Sequence, residues 1–174
     1  TWSYTDTVYR IDTDKPRCVI SYDPSSATSG NVFATLSQCS KINITVTNNS
    51  GSTGYLFTGN WNFTFEYRDA LWNTWFTIAT VTWIDREKPV CAINYSPATI
   101  TSQNVTASIW LCSKTPVVVT NNNSSTNYLF TDNWNFTFQY RDVLWNTGST
   151  VATVTRISRG WWWGWINRDI CLDW

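Results

Sequence analysis

Apolar side chains recur at every second position in short runs along this chain, the period of a β-strand with one face buried. Cys18, Ile20 and Tyr22 fall on one face, as do Val32, Ala34 and Leu36, then Ile44 and Val46, then Phe63, Phe65 and Tyr67, then Ala79 and Val81. The same parities return at Cys91, Ile93 and Tyr95, at Val105, Ala107 and Ile109, at Val117 and Val119, at Phe136, Phe138 and Tyr140, and at Ala152 and Val154. Stretches rich in Ser, Asn, Thr and Gly separate the runs, notably 23–31 and 48–54. Turns at this spacing predict about five to seven short strands per copy, arranged as an antiparallel sandwich.

The runs belong to a repeat. Lys15 to Ile84 lie on Lys88 to Ile157 without a gap at an offset of 73 positions, with about 60% identity, and such self-similarity governs how the chain is divided. The best-matched block runs from Tyr55-Leu56-Phe57-Thr58 through Phe63-Thr64-Phe65-Glu66-Tyr67-Arg68-Asp69, echoed by Tyr128-Leu129-Phe130-Thr131 and Phe136-Thr137-Phe138-Gln139-Tyr140-Arg141-Asp142. Carried backwards, the offset places Thr1-Trp2 to Ile11-Asp12 on Thr74-Trp75 to Ile84-Asp85. We therefore expect residues 1–12 to be the last strand of a truncated preceding copy, 13–85 and 86–158 to be complete repeats, and 159–174 to be a low-complexity tail or linker. The junctions, Ile11-Asp12-Thr13-Asp14-Lys15-Pro16 and Ile84-Asp85-Arg86-Glu87-Lys88-Pro89, are short and charged, and each ends in a proline. A proline there stiffens the approach to the next strand, which predicts a semi-rigid string of units.

Four segments of each copy carry a family likeness. In the first copy they are Pro16-x-Cys18 leading to Tyr22, Asn31-Val32-x-Ala34-x-Leu36, Phe63-Thr64-Phe65-x-Tyr67-Arg68-Asp69, and Ala79-Thr80-Val81-Thr82-x-Ile84. Over about residues 1 to 158 the chain resembles the bacterial immunoglobulin-like (Big-type) tandem repeats of large cell-surface and adhesin proteins. The resemblance implies an all-β fold class of tandem immunoglobulin-like antiparallel β-sandwiches, two complete small repeats plus a truncated one. It implies the role of a structural spacer or adhesion segment in a bacterial surface or secreted protein. It implies no catalytic residue, because function on such a scaffold has to be argued from a site.

The chain departs from that pattern at its tryptophans. Where the family hairpin reads Asp-Ala-x-Gly-Asn-Thr-Gly, the glycine places hold Trp72 and Trp75 in the first copy, then Trp145 and Gly148 in the second. A turn joining twisted strands often needs a residue with positive φ, which a bulky side chain adopts only with strain. Trp61 and Trp134, each within Asn-Trp-Asn between two strands, raise the same objection. In the tail, Trp161, Trp162, Trp163 and Trp165 stand in what would, with glycine, be a flexible linker. The expectation is that these residues and Trp2 are glycine-recoded positions, UGA codons written as Trp in a gene whose host reads them as Gly, with Trp110 and Trp174 as further members. Trp83 matches Arg10 and Arg156 rather than glycine and is expected to be genuine. The competing reading takes every ring as real. Exposed tryptophans would then be sugar-stacking platforms of a carbohydrate-binding module, at a density leaving apolar patches that soluble monomers rarely carry.

Charge and composition act by exclusion. Lys+Arg 12 balances Asp+Glu 12, so there is no basic surface to release counterions from a phosphate backbone, and nucleic acid is not an expected partner. Histidine is absent, which deprives a hydroxyl nucleophile of its usual base, and acids are too sparse for a carboxylate pair across a cleft. Neither enzymatic activity nor a cofactor is expected. No run reaches the length of about 20 apolar residues needed to span a membrane as a helix; targeting and anchoring are read as lying in flanks outside this sequence. The expected partners are neighbouring repeats of the same chain and cell-surface glycans or proteins, at an extracellular or cell-surface location.

Of the five cysteines, Cys18 and Cys39 are spaced as Cys91 and Cys112 are. Repetition of both members favours a disulfide within each copy, worth roughly 3 kcal/mol in the chain-entropy model. Buried free thiols are the alternative, and zinc is disfavoured by the lack of Cys-x-x-Cys and of His. Cys171 is the odd one and would pair beyond this sequence. Asp12, Asp14, Asp85 and Glu87 offer junction oxygens to calcium, which needs about six to eight from a defined loop; a solvated linker is the better reading. Asp69 and Asp142 are placed to cap the turn that follows them. Tyr67 and Tyr140 are expected to face inward, with Arg68 and Arg141 opposite.

Overall fold

Aromatic and β-branched residues at alternate positions suit a pleated surface with one side turned to a core, and such stretches form the strands of this protein. The computed structural model describes residues 11–160. Trp2, Trp161, Trp162, Trp163, Trp165, Trp174 and Cys171 lie outside the described residues, as does most of the 1–12 and 159–174 segments. In the first half the strands are β1 (Val19–Asp23), β2 (Val32–Ser37), β3 (Thr45–Val46), β4 (Gly54–Phe57), β5 (Asn62–Arg68) and β6 (Thr74–Thr80). In the second they are β7 (Cys91–Ser96), β8 (Val105–Cys112), β9 (Val118–Val119), β10 (Asn127–Phe130), β11 (Asn135–Arg141) and β12 (Thr147–Thr153). The chain divides into two compact units between Glu87 and Lys88. Each unit holds two antiparallel three-stranded sheets, β1-β2-β4 with β3-β5-β6, and β7-β8-β10 with β9-β11-β12.

The alternation decides which faces meet. Val32, Ala34 and Leu36 of β2 and Phe57 of β4 share one core with Val46, Phe65, Tyr67 and Ala79 of the other sheet. The second unit builds the same core from Val105, Ala107, Phe130, Val119, Phe138, Tyr140 and Ala152. The apolar faces of two sheets thus close on each other, a sandwich-like all-β architecture. Burying a ring such as Phe57 or Phe65 completely stabilises the fold by about 1.5–3 kcal/mol. Ile20 and Tyr22 are only half-buried because β1 lies at a sheet edge.

Strand β4 begins on a glycine that its neighbour requires. A Cβ on Gly54 would meet the Phe33 ring at 2.3 Å, so the ring lies over bare backbone; the counterparts in the second unit are Thr106 and Asn127.

Side-chain amides and hydroxyls take the place of missing strands. Asn48 donates from Nδ2 to Thr64 O at 2.6 Å and accepts the Glu66 N–H at 3.1 Å. Asn60 treats Ile84 in the same way, at 2.8 and 2.9 Å. Asn121 and Asn133 repeat both arrangements in the second unit. Cys18 is joined to Cys39, and Cys91 to Cys112. Cys91 and Cys112 are opposed residues of neighbouring strands beside a bulge at Cys91/Ala92, so this bond ties two strands of one sheet. Two disulfides fit an oxidising compartment. No helix among the described residues is long and apolar enough to cross a membrane.

Candidate functional site

The exposed tryptophans begin at a hairpin. β5 and β6 pair as far as Arg68 opposite Thr74, leaving Asp69 to Asn73 to reverse the chain. Trp72 N–H donates to Asp69 O at 3.2 Å and Asp69 N–H to Asn73 O at 3.1 Å. This is a type I turn followed by one left-handed residue, the G1 bulge that glycine usually completes. The left-handed residue is Trp72, with φ 67°, and in the second unit Trp145, with φ 68°. An L-residue in that region costs roughly 1–2 kcal/mol.

Asp69 holds the turn together. Its Oδ1 accepts the N–H groups of Leu71 and Asn73, both at 2.9 Å, and its Oδ2 accepts Asn73 Nδ2 at 2.9 Å and Lys41 Nζ at 3.0 Å. Burial pushes the Asp69 carboxyl up, but the hydrogen bonds from Asn73, Lys41 and Leu71 outweigh it and bring the pKa down to about 2. Asp142, tied to Leu144 and Asn146 and 3.4 Å from Lys114, is lowered for the same reasons. Above the turn, the Arg68 guanidinium lies 3.4 Å from the Trp72 ring centre, and Arg141 lies 3.4 Å from that of Trp145. The rings remain 71% and 69% exposed, and a stack in such a setting contributes about 0.5–1 kcal/mol.

The other tryptophans differ from these two and from one another. Trp75 lies opposite Tyr67 on β6 and packs against the core, with Lys15 Nζ 4.4 Å from its ring. It borders a cavity of about 450 Å³ lined also by Lys15, Thr47 and Glu66. Its counterpart Gly148 has no room for a side chain, because a Cβ there would meet Pro89 O at 2.2 Å. A related cavity of about 550 Å³ runs past Gly148, between Lys88, Thr120 and Gln139. Trp61 and Trp134 lie outside the left-handed region, so strain does not argue against them; they pack 5.9 and 6.0 Å from the Phe57 and Phe130 rings. Trp110 is exposed on β8. Trp83 is built into its unit, since its indole N–H donates to Pro24 O at 3.2 Å and its ring meets Tyr22 edge-on at 5.1 Å. The matching Arg156 performs both tasks, lying 4.6 Å from the Tyr95 ring and donating to Ala98 O.

At the start of the first unit an ammonium sits among the junction oxygens. Lys41 Nζ donates to both Asp12 carboxylate oxygens, at 2.8 and 2.9 Å, to Asp14 O, and to Asp69 Oδ2. The hydrogen bond to Asp12 raises the Lys41 pKa, with Asp69 adding to it against desolvation, and the same bond lowers Asp12. Among the described residues no group of three or more His, Cys, Asp and Glu converges as a metal site. The sequence reading missed Lys41, Asn60 and Asn73, although Lys114, Asn133 and Asn146 repeat them one copy later.

No protein-family model matches this chain, and no curated protein matches it.

Proposed function

We propose that the chain is a non-catalytic structural spacer or adhesion segment of a bacterial surface or secreted protein, built from tandem immunoglobulin-like sandwiches. The carrying observation is that polar side chains serve the scaffold in both units through the same partners: Tyr67 and Tyr140 on the cysteine backbone, Asp69 and Asp142 on the hairpin, Asn60 and Asn133 on the last core residue. The disulfides favour a location outside the cell. Small-angle scattering of the full chain tests the spacer. An extended particle of one well-defined length is expected; a compact or broadly distributed one overturns it.

One observation bears on carbohydrate binding as a second role, the exposed rings of Trp72 and Trp145. Their left-handed backbone supports the alternative that both are glycine in the native polypeptide. Mass spectrometry of the tryptic peptide 69–86 from the native host separates the two. Glycine mass at 72 and 75 with tryptophan at 83 removes the sugar platform; tryptophan at all three refutes recoding and makes glycan binding the next assay.

A further inference from the structure

Within each unit the first and last stretches of chain run side by side in the same direction. In the first unit Thr77 Oγ1 donates to Cys18 O at 3.2 Å, Thr80 N–H to the Tyr22 hydroxyl at 3.0 Å, and Trp83 Nε1 to Pro24 O at 3.2 Å. Further along, Thr28 N–H donates to Trp83 O at 3.2 Å and Asp85 N–H to Thr28 O at 2.8 Å, around a parallel bridge between Thr28 and Ile84. Arg86 ends the seam, donating from Nε to Ser29 O at 2.8 Å and from Nη2 to Gly30 O at 3.1 Å and Asn31 Oδ1 at 2.8 Å.

The second unit repeats the seam. Thr150 Oγ1 donates to Cys91 O at 2.8 Å and Thr153 N–H to the Tyr95 hydroxyl at 2.9 Å. Thr101 N–H donates to Arg156 O at 3.0 Å and Ser158 N–H to Thr101 O at 2.8 Å, and Arg159 Nη2 reaches Asn104 Oδ1 at 2.7 Å.

Direction gives this seam a mechanical meaning. Tension applied through the two ends of a unit pulls its first stretch one way and its last stretch the other. Parallel stretches pulled in opposite senses must slide past each other, so the bonds along the seam resist together. An antiparallel hairpin pulled at its open end would instead unzip, its bonds breaking in succession. Cys18 stands at the beginning of the seam and is covalently joined to Cys39. Once the seam gives way, the chain between them cannot lengthen.

The geometry points to a further function: each unit is a tension clamp, resisting force along the chain through the parallel seam and limiting its extension afterwards through the disulfide. The clamp is a property of the unit, and only its biological setting rests on the spacer role. Single-molecule stretching of the full chain held at both ends tests it. With the disulfides intact, each unfolding step should be shorter than in reducing solution by about 70–75 Å, the extended length of the 21-residue separation between Cys18 and Cys39.

Tyr22→Phe with Tyr95→Phe removes one seam bond per unit and keeps the rings. Val46→Ala with Val119→Ala loosens the core away from the seam. Rupture force should fall more in the tyrosine pair than in the valine pair, per unit of stability lost in denaturant. Equal falls overturn the clamp, as do steps of equal length with and without reductant. If reduction prevents folding, the comparison of variants still decides. A chain that passes here but scatters as a compact particle overturns the spacer and leaves the clamp standing.

Discussion

The hydroxyl of Tyr67 accepts the backbone N–H of Cys18 at 3.1 Å, reaching from β5 to the chain entering the opposite sheet. Thr77 Oγ1 lies 2.8 Å from the same hydroxyl and donates to Cys18 O, so Tyr67 donates in turn to Thr77. The ring of three bonds satisfies a buried peptide that no neighbouring strand pairs. Tyr67→Phe would leave a buried N–H without its acceptor, at a cost of about 1–3 kcal/mol. Urea unfolding should show a lower midpoint at unchanged slope, and Tyr140→Phe should act alike on the second unit. An unmoved midpoint would count against the bridge.

Trp72 and Trp83 should respond oppositely to truncation. Trp72→Gly relieves a left-handed backbone worth roughly 1–2 kcal/mol and gives up an exposed stack worth about 0.5–1 kcal/mol. It should leave stability unchanged or raise it slightly. Trp83→Ala removes a half-buried ring and an indole hydrogen bond and should cost about 2 kcal/mol, less than a fully enclosed ring would. Thermal unfolding of the two variants compares them directly.

Asp69 makes the first unit sensitive to acid. Its folded pKa of about 2 lies below the ordinary 3.8, so its contribution is complete above the higher value and lost as the pH falls through the lower one. Lys41 is raised above 10.5, and its contribution is present below that value and lost as the pH rises past it. Stability measured against pH should decline on both sides, and Asp69→Asn should flatten the acid limb. Parallel curves for parent and variant would contradict the assignment.

Replacing Cys18 and Cys39 together by alanine should lower stability by roughly 3 kcal/mol. The same exchange at Cys91 and Cys112 should destabilise only the second unit. Differential scanning calorimetry, with one unit left intact in each variant, resolves the two effects.

Most of the fold could be read in advance because a strand buried on one face writes its period into the chain. The alternation at Val32, Ala34 and Leu36 and at Phe63, Phe65 and Tyr67 places β2 and β5 within a residue or two of their ends. The hairpin was legible through the family resemblance, whose pattern sets an aspartate and a glycine where Asp69 and Trp72 stand. The cage around Lys41 was not, since its oxygens come from two segments far apart in the chain, Asp12 with Asp14 and then Asp69. Trp61 and Trp134 were misjudged on strain, because a tryptophan between two asparagines gives no sign of its φ.

By itself, then, the amino-acid order determined whatever depends on neighbours along the chain: strand positions, the 73-residue repeat, the paired cysteines and the hairpin that wants glycine. Tertiary structure alone decided what depends on distant segments meeting. It set Tyr67 against Cys18, gave one role to Trp83 and Arg156, and laid the first and last stretches of each unit parallel. Those meetings follow from two sheets closing on one core, and local periodicity carries no information about which edges that closure brings together.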